Sequence, residues 1–486
     1  MGALIAVVHK NRENAFTTAI EMLGVLSHRG SDSFGVASSS EIVIKNALDG
    51  LRREPVDSDV LIGQNFAQFL QRDKAQPVQN NDSALVFEGR LFPPPAKGEV
   101  DFAVRKSLYI EEEAIRFIRQ FDGSYVFATA VDREVIVGRD AVGAYPLYFG
   151  ENRKICALAS ERKALWRVGI TGTDSFPPGK LALVDKAGFH FRTAKTIVQP
   201  PAQGVSMQRA AQQLKDVLVQ STKARVSDVG EVAVAFSGGV DSSVVASITK
   251  ACNVDAHLIC VALGEKGETD FANRAAEALG LPLHVAKYTL RDVEEILPTI
   301  LWLIEEPNPV NVSIATPIFW VAEQAAKLGL SVLLAGQGGD ELFGGYKRYL
   351  EDYEEYGLAG LQTRLYKDVM SSHAVNFQRD NKVCAFHKLE LRMPFADWGV
   401  IEFALSLPAR LKIASPEDEL RKRVLRQTAR NLAIPEFISE KPKRAIQYTT
   451  GVNQAIKTLA KKEGLTVRDY LEEAFGKACR ELNENG

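Results

Sequence analysis

The chain is poor in cysteine for its length, and the five that it has, Cys156, Cys252, Cys260, Cys384 and Cys479, lie scattered with no CxxC pair and no metal-ligand spacing. That argues against a disulfide scaffold or a zinc site and predicts a reducing compartment. No uncharged apolar run reaches the ~18 residues needed to span a membrane. The opening MGALIAVVHKNREN has too short an apolar stretch for a secretory signal, and charge follows it where a small-residue cleavage site would stand. A cytoplasmic location is the expectation. An excess of one charge is also missing: 59 basic residues balance 61 acidic ones, for a net charge of -2. Nothing global therefore draws the chain to nucleic acid or to an anionic membrane, and small-molecule chemistry is favoured.

What is present is a hydrophobic content of 46% in 486 residues, enough for about two or three domains with large cores. From Leu4 to about Asp185 the chain carries short apolar runs of strand length, LIAVV, ALVFEG, YVFATAVD, EVIVGRD, ICALAS and KLALVD, punctuated by Gly, Pro, Asn and Asp. Two helical patterns interrupt them, near 14–26 and at EEEAIRFIRQF. TIVQPPAQGVSM marks a linker around 197–206, which divides the chain into domains of residues 1–200 and 201–486. Beyond it strands and helices alternate: helix 207–225, EVAVAF, helix 241–251, HLICVAL, helix 270–279, HVAKYT, helices 291–304 and 316–328, then SVLLAG. Such alternation predicts a parallel sheet covered by helices on both faces. From Tyr346 onward the chain reads as mostly helical and charged.

The sharpest feature is AFSGGVDSS at 235–243. It falls between a buried strand and a helix start, where unpaired backbone N–H groups and the positive end of the helix dipole favour an anion. Gly238 and Gly239 let the main chain close round a phosphate, while Ser237, Ser242 and Ser243 add hydroxyl donors. A Walker A loop would need GxxxxGK and a Ser or Thr; this loop has neither that spacing nor that lysine.

SGGVDSS resembles the pyrophosphate loop of the ATP pyrophosphatase superfamily, and other segments are more specific. AGQGGDELFGGY at 335–346 resembles the SGEGxDExFGGY of asparagine synthetases, RDNK at 379–382 their RxNK, LELRMPFAD at 389–397 their VEARVPFLD, and DELRKRVLRQ at 418–427 a helix of the family; EKPKRAIQYTTGV resembles the lysine-bearing segment that closes over the triphosphate. In the first half, LSHRGSD, FDGSYVFATAVD, GRDAVGAYPLYFG, ASERKALW and FPPGK resemble the family's glutaminase domain. The resemblance implies an α+β layered sandwich of the N-terminal nucleophile hydrolase kind, followed by an α/β parallel-sheet ATP pyrophosphatase domain.

For the site, the resemblance implies that Ser237, Gly238, Gly239, Asp241, Ser242 and Ser243 hold pyrophosphate and that Val261, Ala335 and Gly336 lie beside adenosine. Asp340, with Asp241, would bind magnesium; Lys382 would meet phosphate; Lys443 would offset the charge that builds during adenylation, with Lys441 as the competing assignment. ATP and Mg2+ are the implied cofactors. The implied reaction is adenylation of a carboxylate, most simply that of aspartate, followed by amide formation and release of AMP.

The sequence departs from the family in both halves. Gly2 stands where the glutaminase nucleophile should be a cysteine with its own α-amine as base, and Cys156 is on an expected buried strand. The family's Asn-Gly-Glu segment reads Glu88, Gly89, Arg90. A degenerate glutaminase that does not hydrolyse glutamine is expected. In the second half the family's glutamate is Gln337, and an amide cannot act as a general base; Glu305 and Glu306 are the candidate replacements. β-Lactam synthetases resemble this chain in both respects. The expected function is an amide ligase using ammonia. The alternatives are an amine-accepting ligase on another carboxylate, suggested by a pocket segment with Asn308, Asn311 and Ser313 but no arginine, and an ATP-binding regulatory protein that has lost catalysis. A homodimer and a separate glutaminase remain open as partners; nucleic acid and membrane are not expected.

Overall fold

The strand Gly2–His9, GALIAVVH, is buried along its whole length, and its alternating side chains enter two different cores. Leu4, Ala6 and Val8 point into one cluster with Val86, Val126, Ala128 and Val184. Ala3, Ile5 and Val7 point into another with Ala19, Leu23 and Leu165. A strand that is apolar on both faces needs a layer on each side, and this strand has them.

The computed structural model describes residues 2–80, 82–202, 204–264, 268–443 and 450–484. Two compact units emerge, with main spans 1–196 and 197–481. In the first, a seven-stranded sheet runs Thr173–Ser175, Tyr148–Glu151, Ile155–Ala159, Gly2–His9, Val60–Phe66, Ser33–Ala37, Ile42–Lys45. A six-stranded sheet runs Gly188–Thr193, Lys180–Asp185, Glu134–Arg139, Gly123–Val131, Ser83–Leu91, Val78–Asn80. Their facing sides share the first core. Helices Phe16–Val25 and Arg162–Arg167 bury their apolar stripes on the outer face of the seven-stranded sheet. Helix Glu111–Gln120 covers the outer face of the other, where Ile115, Phe117 and Ile118 meet Phe87, Tyr125 and Phe127; each such side chain stabilises the layer by roughly 2 kcal/mol. The expected layered α+β sandwich is what the first half forms.

The second unit is built on five strands in the order Leu283–Tyr288, Asp255–Leu263, Glu231–Ala235, Val332–Leu334, Glu390–Arg392, all parallel. Helices connect them, as the alternation predicts. Two details differ from the sequence reading. The helix expected at 316–328 is Pro309–Lys327, capped by Asn308 Oδ1, which accepts the N–H groups of Val310 and Asn311. Pro309 suits the first helical position, where no N–H partner is needed, but Pro317 inside the helix masks the pattern. The fifth strand, Glu390–Arg392, was not expected: it is only three residues long, and its polar ends are neutralised locally, with Arg392 on Glu390 and Asp228.

Candidate functional site

The central strand Glu231–Ala235 leads through Phe236–Gly239 into helix Val240–Ala251. Gly238 has φ +69, and a Cβ on it would stand 2.9 Å from the Phe271 ring, so both the backbone angle and the space require glycine. The Gly239 N–H donates to Ser237 Oγ at 3.3 Å, and the Ser242 hydroxyl donates to the Gly239 carbonyl at 3.1 Å. These bonds hold the loop bent at the helix N-terminus. Ser243 Oγ is buried and has no hydrogen-bond partner.

At this helix start the structure gathers four charges. Asp241 is in its first turn, and Asp340 is in the first turn of the short helix Gly339–Phe343 after strand Val332–Leu334. Lys422 Nζ lies 2.5 Å from Asp241 Oδ2 and 2.5 Å from Asp340 Oδ1. Lys443 Nζ lies 2.7 Å from Asp340 Oδ2 and 3.8 Å from Asp241 Oδ2. Burial alone would raise the Asp340 carboxyl, but the two ammoniums hold it well below the usual carboxylate range. Burial opposes the Lys443 charge, and the two carboxylates nevertheless push that amine up to about 12. Glu341, next in sequence, is raised by burial and by Asp340; it accepts from the Tyr346 hydroxyl and from Asn376 Nδ2, which ties the glycine pair 344–345 to the segment His373–Phe377.

Sequence reasoning missed Lys422. The 420–430 stretch reads as a solvated basic face, but Arg421, Lys422 and Arg426 are all buried. Arg426 donates to the carbonyls of Leu420, Arg421, Ser439 and Lys441, so this arginine is a clamp on the backbone of the segment that carries Lys443. The available signal was a lysine directly before an apolar helix pattern.

The two candidate closing lysines separate cleanly. Lys443 ends in the carboxylate cluster, whereas Lys441 Nζ lies 3.6 Å from the Phe271 ring centroid, behind the loop. Lys382 is brought to Glu305 Oε2 at 2.9 Å and to the Ile304 carbonyl at 3.2 Å, all deeply buried. Of the two carboxylates suggested as bases, Glu305 is thus in an ion pair and Glu306 accepts from Asn311 Nδ2 at 2.6 Å. Gln337 donates its amide to Asp380, and Asp380 in turn accepts from Arg379 Nε at 2.7 Å. Arg379 Nη1 reaches Asn311 Oδ1 at 3.0 Å, while its buried Nη2 has no partner. A guanidinium thus stands beside the pocket segment after all, supplied by another helix. Ser313 is spent on the Pro309 carbonyl of its own helix and Asn308 on the cap. Val261 lies on strand Asp255–Leu263, Ala335 follows strand Val332–Leu334 with its N–H on the Arg392 carbonyl, and Gly336 packs so close to Asp241 that a Cβ would meet its Cβ at 3.0 Å.

Magnesium fits this donor set. Asp241 Oδ1 is buried without a hydrogen bond, and Asp340 faces it across Lys422. Among the described residues no group of three or more His, Cys, Asp or Glu could hold a metal, so two carboxylates would leave most of the octahedron to phosphate and water, as magnesium prefers.

In the first unit, position 2 is closed. The Gly2 N–H donates to Glu88 Oε2 at 2.8 Å, its carbonyl accepts from Arg29 Nε at 3.0 Å, and Tyr145 Oη sits 3.0 Å from Glu88 Oε2. A Cβ on Gly2 would lie 1.8 Å from the Asn65 carbonyl oxygen. Gly89 has φ +108, and Arg90 is buried against Asp73 at 2.6 Å and Glu99 at 3.4 Å. Cys156 is buried on strand Ile155–Ala159, where burial pushes its thiol up to about 12. It is no substitute nucleophile. No helix among the described residues is long and apolar enough to cross a membrane.

A family model described as asparagine synthase matches residues 213–359 and 354–482, and one described as a glutamine amidotransferase domain matches residues 68–167. A protein of Methanocaldococcus jannaschii named "Putative asparagine synthetase (glutamine-hydrolyzing) 1" is 28% identical, covering 97% of this chain and 98% of that protein. Glutamine-hydrolysing asparagine synthetases of Brassica oleracea and Arabidopsis thaliana are each 28% identical; they cover 65% and 84% of this chain, which spans 56% and 70% of their lengths. Among solved structures, a glutamine phosphoribosylpyrophosphate amidotransferase from B. subtilis aligns with 17% identity and a TM-score of 0.35 over 58% of this chain and 65% of that one, too slight a likeness to carry weight.

Proposed function

The chain belongs to the asparagine synthase family of ligases, and we propose that it adenylates the side-chain carboxylate of aspartate and transfers the acyl group to ammonia rather than to glutamine-derived nitrogen. The observation that carries this reading is the pairing of Lys443 with Asp340, 2.7 Å apart, at the mouth of a loop built for pyrophosphate.

A substrate carboxylate oxygen attacks the α-phosphorus of ATP as the bond to pyrophosphate breaks. The first-turn N–H groups of helix Val240–Ala251, with Ser237, Ser242 and Ser243, receive the leaving pyrophosphate. Magnesium, held by Asp241 and Asp340, would neutralise part of its charge. Lys443 supplies a fixed positive charge aimed where negative charge develops, the usual source of the largest catalytic term. Ammonia then attacks the acyl carbon, AMP leaves, and one proton is lost from nitrogen. Gln337 cannot take that proton; its carbonyl oxygen can accept a hydrogen bond from the incoming nitrogen and orient it, because its amide nitrogen is committed to Asp380. Closure of the space at Gly2 supports the reading that glutamine is not the source of nitrogen.

The test is pyrophosphate release with ATP, magnesium, aspartate and ammonium, leaving out each in turn, and with glutamine in place of ammonium. Aspartate-dependent release with asparagine formed from ammonium alone is expected. Equal asparagine formation from glutamine would sink the nitrogen assignment, and release with a different carboxylate only would sink aspartate. A second reading, an amine-accepting ligase on another carboxylate, draws support from Ser313 and Asn308 being spent within their own helix.

A further inference from the structure

Lys422 is the one member of the charge cluster that bonds both aspartates at 2.5 Å, and its side chain is fully buried while Asp241 and Asp340 keep 15% and 17% exposure. The backbone accepts strain to bring it there: Arg421 and Lys422 have φ +52 and +50, a region that disfavours side chains by roughly 1–2 kcal/mol each. Gly345 makes the room. A Cβ on it would lie 1.9 Å from Asp340 Oδ1 and 2.3 Å from the Lys422 Cε.

Two carboxylates thus face two ammoniums, and Arg421 and Arg426 act on Asp340 and Asp241 while Glu341 acts on Lys443, so these groups together carry no excess negative charge to draw a divalent cation from water. A hydrated magnesium ion gives up water reluctantly, and here it would have to displace a buried ammonium to reach the oxygens that face each other. A nucleotide changes the balance. Its phosphates bring excess negative charge, oxygens for the metal, and new partners for both lysines.

We propose that Lys422 is a positioning residue that stands in for the divalent cation: it holds Asp241 and Asp340 together and bars the bare metal, so that magnesium enters only with the nucleotide. The proposal rests on the reading that Asp241 and Asp340 hold magnesium. When the phosphates arrive, the Lys422 ammonium exchanges a carboxylate oxygen for a phosphate oxygen and becomes a second cation on the pyrophosphate, opposite Lys443.

The test uses the full chain and Mn2+, read by the EPR signal of free hexaaqua Mn2+ without nucleotide and, because α,β-methylene ATP itself chelates Mn2+, by the metal retained with the protein on ultrafiltration, above a nucleotide-only control, when that non-hydrolysable analogue is added. Without nucleotide, the wild type should leave Mn2+ free at concentrations where Lys422→Met binds one equivalent, with a Kd lower by at least ~100-fold. Adding Asp340→Asn to that variant should abolish the gain. One equivalent of Mn2+ bound tightly by nucleotide-free wild type overturns the proposal, with no variant needed. So does a Lys422→Met protein with a cooperative thermal melt that binds no metal. If the variant does not fold, the wild-type arms decide: Mn2+ retained only with nucleotide supports the proposal. Failure of the underlying reading looks different, because the wild type would then retain no Mn2+ even with α,β-methylene ATP.

Discussion

The Gln337 side chain gives its amide nitrogen to the Asp380 carboxylate, a contact that needs a donor at position 337 and that an ionised glutamate could not make. A carboxylate there would face another carboxylate that is itself 1% exposed. Gln337→Glu is therefore expected to lower stability by about 1–3 kcal/mol at pH 7, and Gln337→Glu with Asp380→Asn to recover most of it. Urea unfolding of the four proteins in the cycle measures the coupling; additive effects would refute the contact.

The two lysines near the phosphate loop should part company on mutation. Under the proposed mechanism Lys443→Met removes the cation set against the phosphates and should cut pyrophosphate release by at least ~100-fold. Lys441→Met loses a contact with the Phe271 ring and should cost about 1 kcal/mol of stability with turnover changed only a few-fold. Steady-state rates alongside thermal melts distinguish the two, and a reversed pattern would exchange their roles.

Lys412 is fully buried, and its Nζ has no hydrogen-bond partner; burial pushes the amine down to about 7. The unfolded chain keeps that proton to about pH 10. Between those values the unfolded state binds more protons, so stability should rise with pH from about 7 to about 10. Lys412→Met should flatten that rise and add about 1–4 kcal/mol at pH 7, as chemical denaturation across the pH range would reveal.

Asp340 gives the opposite flank. Its carboxyl is depressed in the folded protein by Lys422 and Lys443, so its contribution is complete above the unfolded value near pH 4 and is lost as pH falls below it. Asp340→Asn should remove this acid sensitivity from the unfolding curve. An unchanged acid limb would mean that other carboxylates govern it.

Returning a cysteine to position 2 should not return glutaminase activity. The Gly2→Cys Cβ would overlap the Asn65 carbonyl at 1.8 Å, and overpacking of this kind costs about 1–3 kcal/mol or more. A lowered melting temperature with no glutamate released from glutamine is the expected pair of results.

Much of the second unit is legible in sequence because the three inner parallel strands, Asp255–Leu263, Glu231–Ala235 and Val332–Leu334, are mostly apolar runs that alternate with helical segments. The loop at 237–243 is legible because glycine and serine have few other reasons to sit between such a strand and helix. Helix Pro309–Lys327 is half hidden, since Pro309 and Pro317 look alike in sequence although only one is compatible with a helix start. Glu390–Arg392 is too short and too charged to read as a strand before Asp228 is known to lie beside it. Lys422 and Arg379 are illegible for a shared reason: a buried cation looks like a surface cation until its counter-charges, Asp241 and Asp340 for one and Asp380 for the other, are brought together by the fold.

The order of the chain bears on how the cluster of Asp241, Asp340, Lys422 and Lys443 comes into being. Synthesis proceeds from the N-terminus, and emerging segments begin to fold as they appear. Asp241 and Asp340 both leave the ribosome long before Lys422 and Lys443, and the sheet edge at Val332–Leu334 stays open until Glu390–Arg392 emerges. Until Lys422 and Lys443 follow, two carboxylates that are destined to be neighbours lack the ammoniums that separate them in the fold. The strand Glu231–Ala235 and its helix can form early, but the charged cluster beside them is completed only once Lys422 and Lys443 have been made.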